Sequence, residues 1–152
     1  LSLRLSVLKA QAVAAQHPHS VVIGCDQVLE LNGRPVGKPG NFENAFKQLS
    51  EMSGQTVTFH SAMTVIDAKG NLQSTVVPTF IRMRNLPPEG IREYLEREKP
   101  FNCAGSAKIE KLGIALVAEC KSDDPTAIIG LPLIELTTML AQAGIHVLPE
   151  LN

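Results

Sequence analysis

Asn32-Gly33 separates two short extended segments, 27–31 and 34–37, within "VVIGCDQVLELNGRPVG". A two-residue hairpin turn of the favoured type needs positive φ at both central residues, and Asn-Gly supplies this more easily than most pairs. The spacing predicts a β-hairpin, and a hairpin excludes an all-parallel sheet. Val21, Val22 and Ile23 read as a buried strand over 21–25 just upstream. Asp26 then stands out, because a carboxylate against an apolar strand is costly to desolvate. Two readings stay open at this point: Asp26 caps a turn past the buried strand, or it lies at the strand's mouth and does chemistry.

Helical periodicities alternate with β-rich runs around this hairpin. Leu1, Leu5, Leu8 and Ala12 share one face of a helix expected over 1–16, stopped near Pro18. The helix is already under way at Leu1, which suggests an earlier segment. Asn41 is a good N-cap for a helix whose apolar face is Phe42, Ala45, Phe46, Leu49 and Met52, closed by Gly54. "QTVTFHSAMTVID" and "LQSTVVPTFIRMRNL" read as long strands joined by "AKGN", with Pro78 marking a break or an edge. "PPEGIREYLEREKP" predicts a proline-started helix with Ile91, Tyr94 and Leu95 inward. "GIALVAECK" predicts a strand, and 127–142 a last helix ending at Gly144.

The 152 residues suffice for one domain with a real core. A net charge of −1 advertises neither a nucleic-acid groove nor a membrane surface, and no run approaches the ~18 apolar residues of a membrane span. Aromatic residues make up 4% with no Trp, which argues against a base-stacking platform. Cys25, Cys103 and Cys120 are far apart, with no C-x-x-C pair and no histidines at zinc-ligand spacing, so buried reduced thiols are expected.

Polar residues gather where apolar elements end. They are Asp26-Gln27; Lys38 in "VGKPG"; Lys108, Glu110 and Lys111 in "CAGSAKIEKLG"; and Lys9 on the first helix. The 103–113 stretch is not a G-x-x-x-x-G-K-[ST] loop, so the P-loop reading fails. Asp123 and Asp124 precede a helix, where carboxylates cap amides; they rank below Asp26 as metal ligands.

Taken in order, "VVIGCDQV", "GKP" followed by a helix ending in "MSG", "CAGSAKIE" and "IIGLPLIEL" resemble the Maf-like nucleoside triphosphate pyrophosphatases over nearly the whole chain. Gln27 after the aspartate, with Glu110 in "AGSAKIE", resembles the branch acting on 7-methyl-GTP. The branch acting on dTTP and UTP has threonine and glutamine there.

The resemblance implies a single α/β domain over 1–152, with a mixed, partly antiparallel twisted sheet flanked by helices and a nucleotide cleft, as in inosine triphosphatases. It implies hydrolysis between the α and β phosphates, giving a monophosphate and pyrophosphate, assisted by Mg²⁺ or Mn²⁺. By carry-over Asp26 accepts the proton, Lys9 and Lys38 contact phosphates, and Gln27 and Glu110 set base specificity. Metal ligands are not assigned. The cleft is expected to be lined by Asp26, Lys38 and the 103–110 loop. A nucleoside triphosphate partner, no nucleic acid or membrane, and a cytoplasmic location follow; a homodimer is left open.

The chain departs from the family pattern at Leu8, where glutamate is usual, and at "HSA", 60–62, where Thr-Gly or Ser-Gly is usual. The family's amino-terminal S-P-R loop and a further acidic residue are not in the chain, which on this reading lacks half of its phosphate site and could be inactive by itself. Two alternatives remain: a pyrophosphatase for other non-canonical nucleotides, or a non-catalytic nucleotide-binding regulator of septum formation.

Overall fold

The computed structural model describes residues 1–150 and is α/β. The order is α1 (Ser2–Ala14), β1 (Val22–Leu31), β2 (Arg34–Val36), α2 (Phe42–Met52), β3 (Thr56–Ile66), β4 (Leu72–Met83), α3 (Pro88–Glu98), β5 (Val117–Ser122) and α4 (Leu133–Gln142). One five-stranded sheet runs β2-β1-β3-β4-β5. The expected hairpin is present. Leu29 pairs with Val36 and Leu31 with Arg34, antiparallel, across a turn in which Asn32 and Gly33 have φ 52 and 79. No helix among the described residues is long and apolar enough to cross a membrane.

The chain divides into two compact units. The first comprises Leu1–Gln27, His60–Pro78 and Ser122 onward. Its apolar packing includes a cluster of Met63, Val65, Leu136 and Met139 and another of Ala10, Val22 and Ile66. The second comprises Val28–Phe59 and Thr79–Lys121. There α2 packs on α3 through faces that match their periodicity: Ala45, Leu49 and Met52 on one helix, Ile91, Tyr94 and Leu95 on the other. Asn41 caps α2 as expected, its side chain accepting from the Asn44 amide at 2.8 Å.

Several boundaries differ from expectation. Helix α1 ends at Ala14 and buries Ser2, Ser6 and Ala10, whereas Leu1 and Leu8 lie exposed. The reason is close packing. A Cβ on Gly24 of β1 would lie 2.6 Å from the Ser6 carbonyl oxygen and 2.7 Å from the Ala10 amide nitrogen. Only a face of small residues lets the helix lie that near the strand, and Ser6 Oγ shares a hydrogen bond of 2.9 Å with buried Thr64 on β3.

The expected helix over 127–142 is broken. A 3-10 turn, Ala127–Ile129, ends at Gly130 (φ 116), and Pro132 precedes α4. Buried Asp124 ties the start of the turn to α4, accepting from the Thr126 amide and hydroxyl (2.8 and 2.6 Å) and from the Ile134 amide (2.8 Å). Burial disfavours its charge, but those bonds outweigh burial and hold its carboxyl below the usual range. A 3-10 turn, Leu112–Leu116, takes up the start of the expected strand, so β5 begins only at Val117. β4 runs unbroken through Pro78 with a neighbour on each side. Cys25 and Cys120 are exposed and Cys103 is half-buried, so the thiols are free but not buried. Cys25 falls on the outward side of the β1 alternation, next to buried Gly24.

Candidate functional site

In the first unit, Asp26 is the fifth residue of a continuous ten-residue strand. It is therefore not at a strand end, as its neighbours suggested; Gly24, Cys25 and Gln27 all stay extended. Lys9 Nζ on α1 donates to Asp26 Oδ1 at 2.8 Å and to the Cys25 carbonyl at 3.3 Å. The close approach of α1 to Gly24 brings this pair together. The carboxylate is 14% exposed and the lysine 57%. Asp26 Oδ2 is buried and has no hydrogen-bond partner among the described residues. A buried carboxylate oxygen left open is costly unless something positive or hydrogen-bonding meets it.

Gln27 is committed to structure. Its amide nitrogen donates to Ser61 Oγ (3.1 Å) and to the carbonyls of Ala127 (3.3 Å) and Ile128 (2.9 Å). Ser61 also donates to the Ala127 carbonyl. Ser61, in the "HSA" departure, thus joins β3 to the 3-10 turn after Asp124, and Gln27 joins β1 to the same turn.

Lys38 and Glu110 belong to the second unit. Lys38 is exposed, in the irregular stretch after β2. The loop around it is held firmly: the Gly37 carbonyl accepts from Gln48 Nε2 (3.0 Å) and from the Gly105 amide (3.1 Å). The Pro39 carbonyl accepts from Asn44 Nδ2 (3.1 Å), and the Gly40 amide donates to the Phe101 carbonyl (3.0 Å). Lys38 and Lys47 line one side hollow of about 250 Å³ with Asn44, Gln48 and Glu51.

Glu110 is exposed on a turn closed by the Lys108 carbonyl, which accepts from the amides of Lys111 (3.1 Å) and Gly113 (2.9 Å). The preceding segment contains two left-handed residues, Gly105 (φ 64) and buried Ser106 (φ 59). A side chain on Gly105 would run into Leu29 Cδ2. Tyr94 holds this segment from α3. Its hydroxyl donates to the Ser106 carbonyl (2.7 Å) and accepts from the Lys108 amide (3.1 Å). Burial pushes the phenol up to about 12, against the bond from Lys108, with Glu98, Cys103 and Glu110 adding to the rise. Periodicity marked Tyr94 only as core. A phenol in a line of aliphatic residues is the signal that a buried polar group needs partners.

Among the described residues no three His, Cys, Asp or Glu side chains gather to hold a metal ion. The open Oδ2 of Asp26 is the feature that fits a cation. One carboxylate suits an ion that takes its remaining ligands from phosphate and water, as Mg²⁺ commonly does.

These observations define a small α/β protein whose charged candidates ride on one strand, one helix and two braced loops. The family model for Maf-like protein matches residues 1–143, and the chain belongs to that family. A relative from Bordetella pertussis, named 7-methyl-GTP pyrophosphatase, is 57% identical over 145 residues, covering 95% of this chain and 72% of the relative. Relatives of the same name from Thiobacillus denitrificans and Methylobacillus flagellatus are 53% and 48% identical. They cover 97% of this chain each, and 74% and 77% of their own lengths.

Proposed function

We propose that the chain is a nucleoside triphosphate pyrophosphatase that hydrolyses the α–β phosphoanhydride of 7-methyl-GTP to 7-methyl-GMP and pyrophosphate. The observation that carries the reading is the Asp26–Lys9 pair, with one carboxylate oxygen held by the lysine and the other buried without a hydrogen-bond partner among the described residues. The names of the relatives support the substrate.

In this reaction the oxygen of water bonds to phosphorus, the bridging P–O bond breaks, and pyrophosphate leaves with the bonding pair. Asp26 takes the water's proton or orients it. Lys9 keeps the carboxylate in place, and its exposed side also faces incoming negative charge. Lys38 offsets charge on the phosphates. Asp26 would hold Mg²⁺ or Mn²⁺, which would supply charge neutralisation and a more acidic water. Gln27 acts on specificity through the shape it gives to the Ser61–Ala127 region, since its amide hydrogens are already used. Glu110 accepts hydrogen bonds from the guanine edge and gains from the positive charge that methylation places on the ring. Such an enzyme works on the cytoplasmic nucleotide pool.

The test is pyrophosphate release by the full-length protein, with Mg²⁺ or Mn²⁺, from 7-methyl-GTP, GTP, ITP, dTTP and UTP. The highest kcat/KM is expected for 7-methyl-GTP, with pyrophosphate and not orthophosphate as product. A preference for ITP or the pyrimidines would replace the substrate. Nucleotide binding without turnover on any of them would favour the regulatory reading.

A further inference from the structure

Within the second unit, two loops meet at one side chain. Gln48 projects from α2 and uses both ends of its amide. Nε2 donates to the Gly37 carbonyl at 3.0 Å, and Oε1 accepts from Ser106 Oγ at 3.0 Å. Gly37 immediately precedes Lys38, and Ser106 lies four residues before Glu110. The Gly105 amide adds a third link, to the same Gly37 carbonyl, at 3.1 Å.

The arrangement asks for an amide. A donor is needed at Gly37 and an acceptor at Ser106, and no carboxylate or aliphatic side chain of that length offers both. Ser106 also needs holding. It is fully buried, and its left-handed backbone is disfavoured for a residue with a Cβ. Its carbonyl is held by Tyr94 and its hydroxyl by Gln48. A buried polar group stripped of its partner loses more than the bond itself.

We propose that Gln48 is a positioning residue that couples the Lys38 loop to the Glu110 loop, so that phosphate contact and base selection are set together. The structural coupling rests on the bonds above. Its catalytic consequence rests on the pyrophosphatase reading. Gln48 acts through its bonds to Gly37 and Ser106.

Two measurements on the full-length protein separate these layers. The first is backbone hydrogen exchange, which reports local opening independently of activity. Ser106→Ala cuts the arm from one loop only. Coupling requires that exchange rise by roughly threefold to tenfold both in 103–108 and in 37–40, with the first half of β1 unchanged. Gln48→Glu, matched in size, cuts the other arm and must also loosen both loops. Loosening confined to the mutated arm in either variant overturns the proposal.

The second measurement is kinetic. Gln48→Ala is expected to lower kcat/KM on 7-methyl-GTP about tenfold and to reduce its lead over GTP. In a Glu110→Gln background the same substitution should leave the 7-methyl-GTP to GTP ratio unmoved, because the group it positions is already altered. An equal change of that ratio in both backgrounds overturns the coupling to base selection. If no nucleotide is hydrolysed at all, the functional reading fails, and the exchange result still decides whether the loops are coupled.

Discussion

The two units hold their charged groups by different means. In the first, Asp26 and Lys9 sit on a strand and a helix, and their pairing follows from Gly24 meeting the Ser2–Ser6–Ala10 face. In the second, Lys38 and Glu110 sit on loops whose backbone groups are answered one by one by Gln48, Asn44, Tyr94 and neighbouring amides. Regular backbone fixes a side chain through its own ladder of bonds, whereas a loop needs braces. The difference suits a division of labour. The group assigned to the water's proton stands on a rigid element, and the groups assigned to phosphate contact and to the base stand on braced loops.

Breaking the rigid half gives the largest expected effect. Asp26→Asn keeps the shape and removes the charge. Turnover of 7-methyl-GTP should fall by about 10²–10⁴, the range for losing a positioned acid or base. Stability should change by no more than about 1 kcal/mol, because the freed Lys9 is exposed enough to be solvated. Steady-state pyrophosphate release with a thermal melt checks both. Unchanged turnover with a large drop in melting temperature would make Asp26 a structural anchor for α1.

The contrast also explains what could be read from the sequence. The hairpin, the N-cap at Asn41, the apolar faces of α2 and α3 and the long β3–β4 pair follow from local chemistry, and each is present. The α1 face departs from the leucine periodicity because leucines mark a core only where there is room for them; here closeness to Gly24 selects serine and alanine. Local sequence puts Asp26 at a strand end because an unpaired carboxylate is costly in a strand interior, yet a lysine seventeen residues earlier in the chain resolves the conflict. The break at Gly130 and Pro132 depends on the Asp124 carboxylate reaching two elements at once. The family motifs marked Lys38 and Glu110, but not the braces. Gln48 and Tyr94 act through contacts 58 and 12 residues away, beyond any local pattern.

A smaller effect sharpens the second half of the comparison, through the brace at Tyr94. Its phenol titrates near 10.0 in the unfolded chain and about 12 in the fold. The folded pKa is raised, so the contribution is fully present below pH 10.0 and is lost as pH rises to about 12. The loss over that window should be about 2–3 kcal/mol. Denaturant unfolding of wild type and Tyr94→Phe across the window isolates it, since lysine titration is common to both. The difference between the two should shrink or reverse as pH rises. Tyr94 is the only tyrosine and there is no tryptophan, so tyrosinate absorbance reports this one group. A tyrosinate that forms near pH 10 without unfolding would mean that the hydroxyl does not brace the loop.

The smallest expected effect falls on Glu110, the exposed tip of the braced loop. An ionised carboxylate accepts hydrogen bonds from guanine N–H groups and is attracted to the cationic methylated ring. Glutamine offers one acceptor and no charge, and its NH₂ meets a donor in one of its two orientations. A charged hydrogen bond is worth about 1.5–3 kcal/mol, and an exposed acid that becomes only partly desolvated on binding belongs at the lower end. Glu110→Gln should therefore reduce kcat/KM for 7-methyl-GTP roughly tenfold. The loss on GTP should be smaller, because unmethylated guanine lacks the ring charge, and dTTP and UTP should change least. Side-by-side kinetics on the four nucleotides reads the order directly. Equal losses on all of them would assign Glu110 to the phosphates or the fold. The braced loops would then serve the phosphates alone, and the division between proton transfer on the strand and base selection on a loop would disappear.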